Sequence, residues 1–348
     1  MKFLKWLLFP FSWLYGGIMF IRNFCYDQGI FASRKFDLPV ISVGNLTVGG
    51  TGKTPHVEYL LRLLKDHKTA TLSRGYKRKS KGFLLANAQA SAEILGDEPF
   101  QYFLDFPETM VAVCEKRVEG IEKILAAKPE TEAIILDDAF QHRAVTPSLN
   151  LLITDFYRRF DTDFMLPTGL LREPRSGAKR ADAVIVSKCP AALSEVEQTD
   201  IKNRISRYTR PKTPVYFTKY HYGKMVGFGS KKVPSKNIVL VTGIANPEPL
   251  IRYLEQQNYQ ILAQLTFPDH HAYTQTDLLR IGKTMETVNI PDAMVLTTRK
   301  DAVKLLAPAL KQLVSGLPFF YLPIEVTFLA GQQEFDSQVR RQVADRFR

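Results

Sequence analysis

Cysteine is scarce in this sequence. Of its 348 residues three are cysteines, Cys25, Cys114 and Cys189, and no two of them form a C-x-x-C pair. This scarcity argues against a disulfide framework and against a structural zinc site. Internal repeats and low-complexity tracts are absent as well. We therefore expect a globular protein of a reducing compartment, long enough for one large domain or two smaller ones.

Acidic residues are outnumbered by basic ones. The sequence has 35 Asp and Glu against 47 Lys and Arg, which gives a formal net charge of +12. Such an excess favours polyanionic partners, namely nucleic acid, anionic lipid or phosphorylated substrates. No recognisable nucleic-acid-binding module is present, and the basic residues are dispersed apart from one loop. Nucleic acid is therefore not expected as a partner.

A hydrophobic run long enough to span a membrane is also missing. Residues 6–21 carry no charge and include both tryptophans of the chain, Trp6 and Trp13, but Pro10 interrupts them. A spanning helix needs about 20 apolar residues. No small-residue cleavage motif follows the run, which argues against a secretory signal. We expect residues 1–30 to form an interfacial, membrane-associated helix; a buried core helix is the alternative.

Apolar runs rich in β-branched residues alternate with helix-like segments after this point. The predicted strands are PVISV, AIILDD, LNLLITD, ADAVIVSK, NIVLVTG and AMVLTT. The predicted helices cover Pro55–His67, Pro99–Phe106, Glu115–Ala127, Pro247–Gln257 and Gln275–Thr287. Continuous apolar runs are typical of strands that are covered on both faces. The pattern therefore predicts an α/β fold with a mostly parallel sheet flanked by helices.

A weak boundary is expected near residues 211–235. This stretch is rich in Lys, Tyr, Gly and Pro and shows little periodicity. The strand, turn and helix pattern then restarts in IVLVTGIANPEPLIRYL. We predict a membrane-associated segment over 1–30, a core domain over 31–215 and a smaller C-terminal α/β lobe over 216–348.

A glycine-rich loop follows the first predicted strand. The P-loop pattern is G-x-x-x-x-G-K-[ST], and the chain has TVGGTGKT with Thr47 in place of the first glycine. Strand, loop and helix follow in the order that phosphate binding requires, which favours a P-loop NTPase-like core over a glycine-rich turn with a surface lysine. The expected nucleotide-binding residues are Thr47, Val48, Gly49, Gly50, Thr51, Gly52, Lys53 and Thr54.

Mg²⁺ is expected beside this loop. The Thr54 hydroxyl occupies the magnesium position of the motif. The buried run AIILDD ends in Asp137 and Asp138, as a Walker-B strand does when it helps to hold Mg²⁺. A strand-end cap is the alternative for these carboxylates.

The sequence resembles the tetraacyldisaccharide 4′-kinase family, which phosphorylates the lipid A precursor of Gram-negative bacteria. The resemblance rests on ordered motifs: SVGNLTVGGTGKTP (42–55), LSRGYKRKSKG (72–82), GDEP (96–99), LDDAFQHR (136–143), LREP (171–174), VTGIANP (241–247), FPDHHAY (267–273) and TTRKDAVK (297–304). Membership implies ATP and Mg²⁺ as cofactors and transfer of the γ-phosphate to the 4′-hydroxyl of an acylated glucosamine disaccharide phosphate. It also implies an active site at the cytoplasmic face of the inner membrane. The family does not require glycine at the position of Thr47.

The resemblance also implies roles for single residues. Asp97 in GDEP corresponds to the general base and His270 in PDHH to its partner, with Lys53 neutralising the transferring phosphate. An N-terminal helix cap is the alternative for Asp97. Glu173 in LREP joins the carboxylates near Mg²⁺, and its alternative is a loop ion pair.

Substrate contacts are expected from two further motifs. Arg74 and Lys77 of the basic run SRGYKRKSKG suit an anionic lipid or the acceptor's own phosphate, whereas a solvated loop is the alternative. Gln141, His142 and Arg143 follow the strand carboxylates and suit phosphate or acceptor. A membrane-tethered regulatory nucleotide switch is the competing function, but the chain lacks an N-K-x-D motif.

Overall fold

The computed structural model describes residues 2–230 and 233–344, with side chains from residue 8 onward. Of the predicted anchor, Met1 and the Trp6 side chain lie outside the described residues, as do residues 345–348 of the predicted C-terminal lobe.

The strands of the described residues form two sheets. They are β1 (Val40–Gly44), β2 (Thr69–Ser73), β3 (Leu84–Leu85), β4 (Met110–Val113), β5 (Ala133–Asp137), β6 (Leu149–Asp155), β7 (Ala183–Ser187), β8 (Val215–Tyr222), β9 (Val226–Gly227), β10 (Asn237–Thr242), β11 (Gln260–Thr266), β12 (Met294–Thr298), β13 (Phe319–Leu322) and β14 (Ile324–Phe328).

The helices flank both sheets. They are α1 (Lys2–Asp27), α2 (Lys53–Leu63), α3 (Ala92–Leu95), α4 (Asp97–Asp105), α5 (Arg117–Ala127), α6 (Glu195–Ser206), α7 (Glu248–Gln256), α8 (Gln275–Val288), α9 (Arg299–Leu305), α10 (Lys311–Gly316) and α11 (Gln332–Ala344). Two short 3₁₀ helices cover Arg175–Arg180 and Pro308–Leu310.

The larger sheet has nine strands in the order β14-β8-β7-β6-β1-β5-β2-β4-β3. All neighbours pair in parallel except the two edge strands, β14 and β3. Every residue of β1, β2, β5 and β7 is buried, because helices cover both faces. The predicted α/β architecture with a mostly parallel sheet is confirmed.

The chain reverses its direction of travel across this sheet at β1. Its neighbours are β5 on one side and β6 on the other. Ligands of open α/β sheets bind in the crevice outside the carboxyl ends of strands at such a switch point. The glycine-rich loop leaves β1 at this crevice, and Asp137 ends the adjacent strand.

The smaller sheet has five strands in the order β11-β10-β12-β13-β9, with β9 as its antiparallel strand. Strands β8 and β9 lie in residues 211–235, where the sequence showed little periodicity. The weak periodicity of that stretch therefore does not mark a loop without strands. The division at residues 215 and 216 stays a prediction; the nine-stranded sheet also contains β8, which spans it, and β14, which lies beyond it.

Helix α1 lies on the larger sheet's side of the molecule with much of its apolar surface in solvent. Phe11, Trp13 and Leu14 have 62%, 74% and 67% of their surface exposed. Ser12 on another face is buried and donates to Met165 O at 3.0 Å. The buried-core alternative for this helix was therefore wrong. Within residues 2–230 and 233–344, no helix is long and apolar enough to cross a membrane.

Candidate active site

The glycine-rich loop is held open by its neighbours. Gly49 and Gly52 have φ values of 104° and 89°, a region that glycine adopts without steric cost. Asn45 donates to the Thr51 hydroxyl at 2.9 Å, and Ser187 at the end of β7 donates to Thr51 O at 2.6 Å. These contacts fix the loop around an open centre at the start of α2.

The beginning of the loop is tied to a second segment. Thr47 is buried and forms a bridge with Leu171, and Val48 N donates to Leu170 O at 2.8 Å. Thr47 therefore forms the outer support of the loop and does not line the cleft.

Lys53 and Asp138 form an ion pair where the glycine-rich loop meets α2. Lys53 Nζ lies 3.4 Å from Asp138 Oδ1, and Arg172 Nη2 lies 2.9 Å from the same oxygen. Burial alone would raise the pKa of Asp138, but the charges of Lys53 and Arg172 outweigh it and hold that pKa well below its usual range. Asp138 is therefore ionised and paired with the side chains of Lys53 and Arg172.

Asp137 has a different environment. It is buried, and Tyr102 donates to its Oδ2 at 3.0 Å, whereas Oδ1 is buried with no hydrogen-bond partner among the described residues. Burial raises the pKa of Asp137 to about 6 despite the nearby charge of Lys53. Thr54 and Asp137 line the same cleft. An unpaired buried carboxylate oxygen suits a hard cation.

The residues that were predicted to bind Mg²⁺ do not all lie close together. Within the described ranges no three His, Cys, Asp or Glu side chains are clustered as a protein metal site. Glu173 is fully buried and lies against Arg180 Nη2, with both carboxylate oxygens at 2.8 Å. Gln141 and Asn23 donate to the same carboxylate at 2.9 and 3.0 Å. These contacts match the ion-pair alternative for Glu173, and its predicted role at Mg²⁺ has no support in them.

Asp97 and His270 are brought together from distant parts of the chain. His270 Nδ1 lies 3.1 Å from Asp97 Oδ2, although 173 residues separate the two. Helix α4 begins at Asp97, but its N-cap is Gly96 with φ 94°, and no side chain caps it. The capping alternative for Asp97 is therefore wrong. The carboxylate is free to act with the imidazole.

The basic loop after β2 contains one buried, ion-paired cation and several exposed ones. The Arg78 side chain is 2% exposed and pairs with Glu115 at 2.5 Å. Arg74 and Lys77 are exposed and line the cleft, with Lys77 over the ring of Tyr76. The solvated-loop alternative remains open for the predicted substrate contacts.

The residues after Asp138 also differ in whether they line the cleft. His142 lines the cleft, and burial together with the charge of Arg117 lowers its pKa to about 4, so it is neutral at physiological pH. Arg143 instead donates to Asn23 O at 2.8 Å and to Asp27 at 2.6 Å, both on α1. The contacts of Arg143 are therefore with the helix rather than with the cleft, and its predicted substrate role is unsupported.

One cleft of about 2000 Å³ joins most of these groups. The predicted site residues that line it are Val48, Gly49, Gly50, Thr51, Gly52, Lys53, Thr54, Arg74, Lys77, Asp137, Asp138, Gln141, His142 and His270. Thr47, Asp97, Arg143 and Glu173 lie behind this lining.

Sequence reasoning missed two residues of the same cleft and one buried residue behind it. The cleft residues are Arg172, which binds Asp138, and Lys300, whose Nζ lies 3.0 Å from His270 Nε2. The buried residue is Tyr102, which donates to Asp137. Arg172 and Lys300 stand in LREP and TTRKDAVK, so the motifs themselves were the available signal.

Comparisons with known proteins agree over almost the whole chain. The sequence profile of the family described as Tetraacyldisaccharide-1-P 4′-kinase matches residues 4–344. The tetraacyldisaccharide 4′-kinase of Phocaeicola vulgatus is 47% identical over 97% of this chain and 94% of its own length. That of Flavobacterium psychrophilum is 45% identical over 97% of both chains.

A solved structure shows the same agreement in three dimensions. LpxK from Aquifex aeolicus in complex with ATP superimposes with a TM-score of 0.76 at 30% identity, covering 98% of this chain and 99% of that one. The phosphate loop, the acidic strand end and the Asp97–His270 pair thus stand in a chain that matches these kinases from end to end. The chain belongs to the tetraacyldisaccharide 4′-kinase family, which carries out the phosphorylation step of lipid A biosynthesis.

Proposed function

We propose that the chain transfers the γ-phosphate of ATP to the 4′-hydroxyl of a tetraacyldisaccharide 1-phosphate, with Mg²⁺, at the cytoplasmic face of the inner membrane. One observation carries the proposal: Lys53, Asp138 and His270 line the same cleft, and Asp97 lies directly behind His270 with its carboxylate against the imidazole. The Lys53–Asp138 pair suits the phosphate donor and the Asp97–His270 pair suits a hydroxyl acceptor. Phosphoryl transfer needs both groups aligned in one water-poor space.

The donor phosphates are held by the loop. Backbone N–H groups of the glycine-rich loop and the N-terminus of α2 favour an anion, and Lys53 adds a positive charge. When ATP binds, its phosphates compete with Asp138 for Lys53, and Arg172 remains as the partner of Asp138. The crystal structure of the Aquifex aeolicus relative with ATP supports the choice of nucleotide.

Mg²⁺ fits beside Asp137 and Thr54. The unpaired Oδ1 of Asp137 is an oxygen ligand without another partner in the described part of the chain, and Thr54 supplies a hydroxyl. Two protein ligands suffice because Mg²⁺ usually keeps several waters and binds phosphate oxygens. Bound there, the ion would neutralise charge on the phosphates.

Asp97 is the proposed general base. Its Oδ2 accepts from His270, and Oδ1 makes no protein hydrogen bond within the described residues. The free oxygen can take the proton of the 4′-hydroxyl while that hydroxyl oxygen bonds to the γ-phosphorus and the bond to the ADP leaving oxygen breaks. The His270 N–H stabilises the carboxylate until it receives the proton.

The acceptor is proposed to reach the cleft from a membrane. The exposed apolar residues of α1 suit the interfacial region of a bilayer, and Arg74 and Lys77 suit an anionic headgroup. Helix α1 is also connected to the site, since Arg22 donates to Gln141 O at 2.7 Å. A lipid substrate held at the membrane would thus lie beside the catalytic groups.

The test separates the base from its neighbours. Asp97→Asn keeps the side-chain size but removes the proton acceptor, so transfer of label from γ-labelled ATP to acceptor in detergent should fall by about 10²–10⁴-fold. ATP affinity and melting temperature should stay close to those of the wild type. His270→Ala combined with Asp97→Asn should be little worse than the poorer single variant, because coupled catalytic residues are non-additive. Full turnover by Asp97→Asn would remove the base from the proposal.

A further inference from the structure

A lysine completes the surroundings of the His270 imidazole. Lys300 is the second residue of α9, and its Nζ lies 3.0 Å from His270 Nε2. On the other side of the ring, Nδ1 faces Asp97 Oδ2 at 3.1 Å. An ammonium has three donors and no acceptor, so Nε2 has to accept from it and cannot itself carry a proton. The ring proton is thereby placed on Nδ1, facing Asp97.

We propose that Lys300 is a positioning residue for the base: its ammonium donates to His270 Nε2 and so fixes the ring proton on Nδ1, directed at Asp97. This inference rests on the proposed role of Asp97. Without Lys300, no donor faces Nε2, so the imidazole can carry its proton on that nitrogen and turn the acceptor nitrogen Nδ1 towards the Asp97 carboxylate.

The charges around the imidazole support an ammonium in this position. Lys300 Nζ lies 3.6 Å from Glu98 Oε1 and 3.5 Å from Asp269 Oδ1. Asp269 also lies 3.9 Å from His270 Nε2, and the ring of Tyr76 packs edge-on against the imidazole at 5.4 Å between centroids. The two carboxylates thus stabilise the lysine charge, and Lys300 Nζ is closer to His270 Nε2 than Asp269 is.

The flanking residues hold Lys300 in place. Thr298 caps α9 by accepting from Asp301 N, and the buried Asp301 carboxylate accepts from Gly243 N at 2.9 Å. Arg299 forms a two-bond ion pair with Asp105 of α4, the helix that begins at Asp97. A residue fixed on both sides has little freedom left, so its direction towards His270 is set before substrate binds.

The first measurement is the ¹⁵N NMR spectrum of the His270 imidazole in the substrate-free protein. In the wild type, ¹⁵N spectra of His270 should show a protonated Nδ1 and an unprotonated Nε2. In Lys300→Met the tautomer with the proton on Nε2 should appear beside it, because no ammonium donates to Nε2 any longer. Lys300→Arg keeps a donor and should restore much of the wild-type tautomer. Unchanged imidazole signals in Lys300→Met would overturn the proposal.

The second measurement is kinetic. In Lys300→Met, kcat should fall about tenfold or more, and the KM values for ATP and acceptor should change by less than about twofold. In a His270→Ala background the same change should cost little more, because Lys300 acts through the imidazole. A large rise in the KM for ATP, or an equal loss in that background, would identify Lys300 as a phosphate contact instead.

A matched control and a check on the base complete the design. Lys283→Met makes the same replacement at an exposed lysine of α8 outside the cleft and should leave kcat unchanged. Full turnover in Asp97→Asn would remove the base and with it the catalytic meaning of Lys300. Unchanged imidazole signals in Lys300→Met would remove only the lysine, so the two failures are distinguishable.

Discussion

At the scale of single residues, Lys53 combines a small structural role with a large proposed catalytic one. Its partner Asp138 also binds Arg172, so Lys53→Ala leaves that carboxylate paired. We expect the free energy of unfolding to change by less than about 1 kcal/mol, as for most partly exposed ion pairs. Turnover should fall by at least about 10²-fold, because a charge on the transferring phosphate is lost.

Steady-state phosphate transfer and denaturant unfolding of the same variant measure these two effects. Lys65→Ala is the control, since Lys65 is exposed just beyond α2 and does not line the cleft. Wild-type turnover in Lys53→Ala would contradict the assignment of the phosphate loop.

Glu58 of α2 predicts a pH dependence of stability. It is buried, and burial raises its pKa from 4.5 to about 7, although Gln101 donates to it at 2.5 Å. A carboxyl with a raised folded-state pKa contributes its full stability below pH 4.5, and this contribution is lost as the pH rises towards 7. At pH 8, Glu58→Gln should therefore be more stable than the wild type by about 3 kcal/mol.

The difference should nearly vanish at pH 4.5, the unfolded-state pKa. Urea unfolding at the two pH values measures it. An equal difference at both values would show that the variant acts through packing and not through ionisation.

At the scale of elements, α1 presents separate faces to the protein and to its surroundings. Replacing Phe11, Trp13 and Leu14 together by Gln leaves the Ser12 contacts intact and removes three exposed apolar side chains. Binding to anionic vesicles should weaken by at least about tenfold, because burial of each such side chain in the membrane interface contributes about 1 kcal/mol or more to binding. Activity on acceptor dispersed in detergent should stay within about twofold of the wild type.

Vesicle sedimentation and transfer assays in the two media test this expectation. Val196→Gln is the control, since Val196 is 80% exposed on α6. Equal vesicle binding by the triple variant and the wild type would place the membrane contact elsewhere on the protein.

The elements differ in how far the sequence predicts them. Strands β1, β5, β6, β7, β10 and β12 were predicted because their apolar runs are continuous, as burial on both faces requires. Strand β8 was not, because its VYFTKYHY mixes polar and aromatic residues, as fits a partly exposed strand near the sheet edge. Its position depends on the pairing with β7 and β14, which local sequence does not encode.

The site shows the same division. The position of the glycine-rich loop next to Asp137 could be predicted, because a strand, a turn and a helix fix it within a short segment. The partners of Glu173 could not, because Arg180 and Asn23 reach it through the packing of α1 and a loop. The pairing of Asp97 with His270 came from family resemblance, since nothing in the chain between them specifies their distance of 3.1 Å.

At the scale of the whole molecule, the active site is assembled from both sheets. Lys53, Asp97 and Asp137 belong to the nine-stranded sheet and its helices, whereas His270 and Lys300 follow strands of the five-stranded sheet. The contact between α4 and α9, with its Asp105–Arg299 ion pair, is what brings the second group to the first. Neither sheet alone carries a complete set of proposed catalytic groups.

The α4–α9 contact has a consequence for inhibitor selectivity. A compound that competes with ATP at the glycine-rich loop meets a motif shared with many other nucleotide-binding proteins. A compound that inserted between Asp105 and Arg299 would instead draw the imidazole and its lysine away from Asp97 without resembling a nucleotide. Its selectivity would depend on the surroundings of this ion pair and not on the phosphate-binding motif.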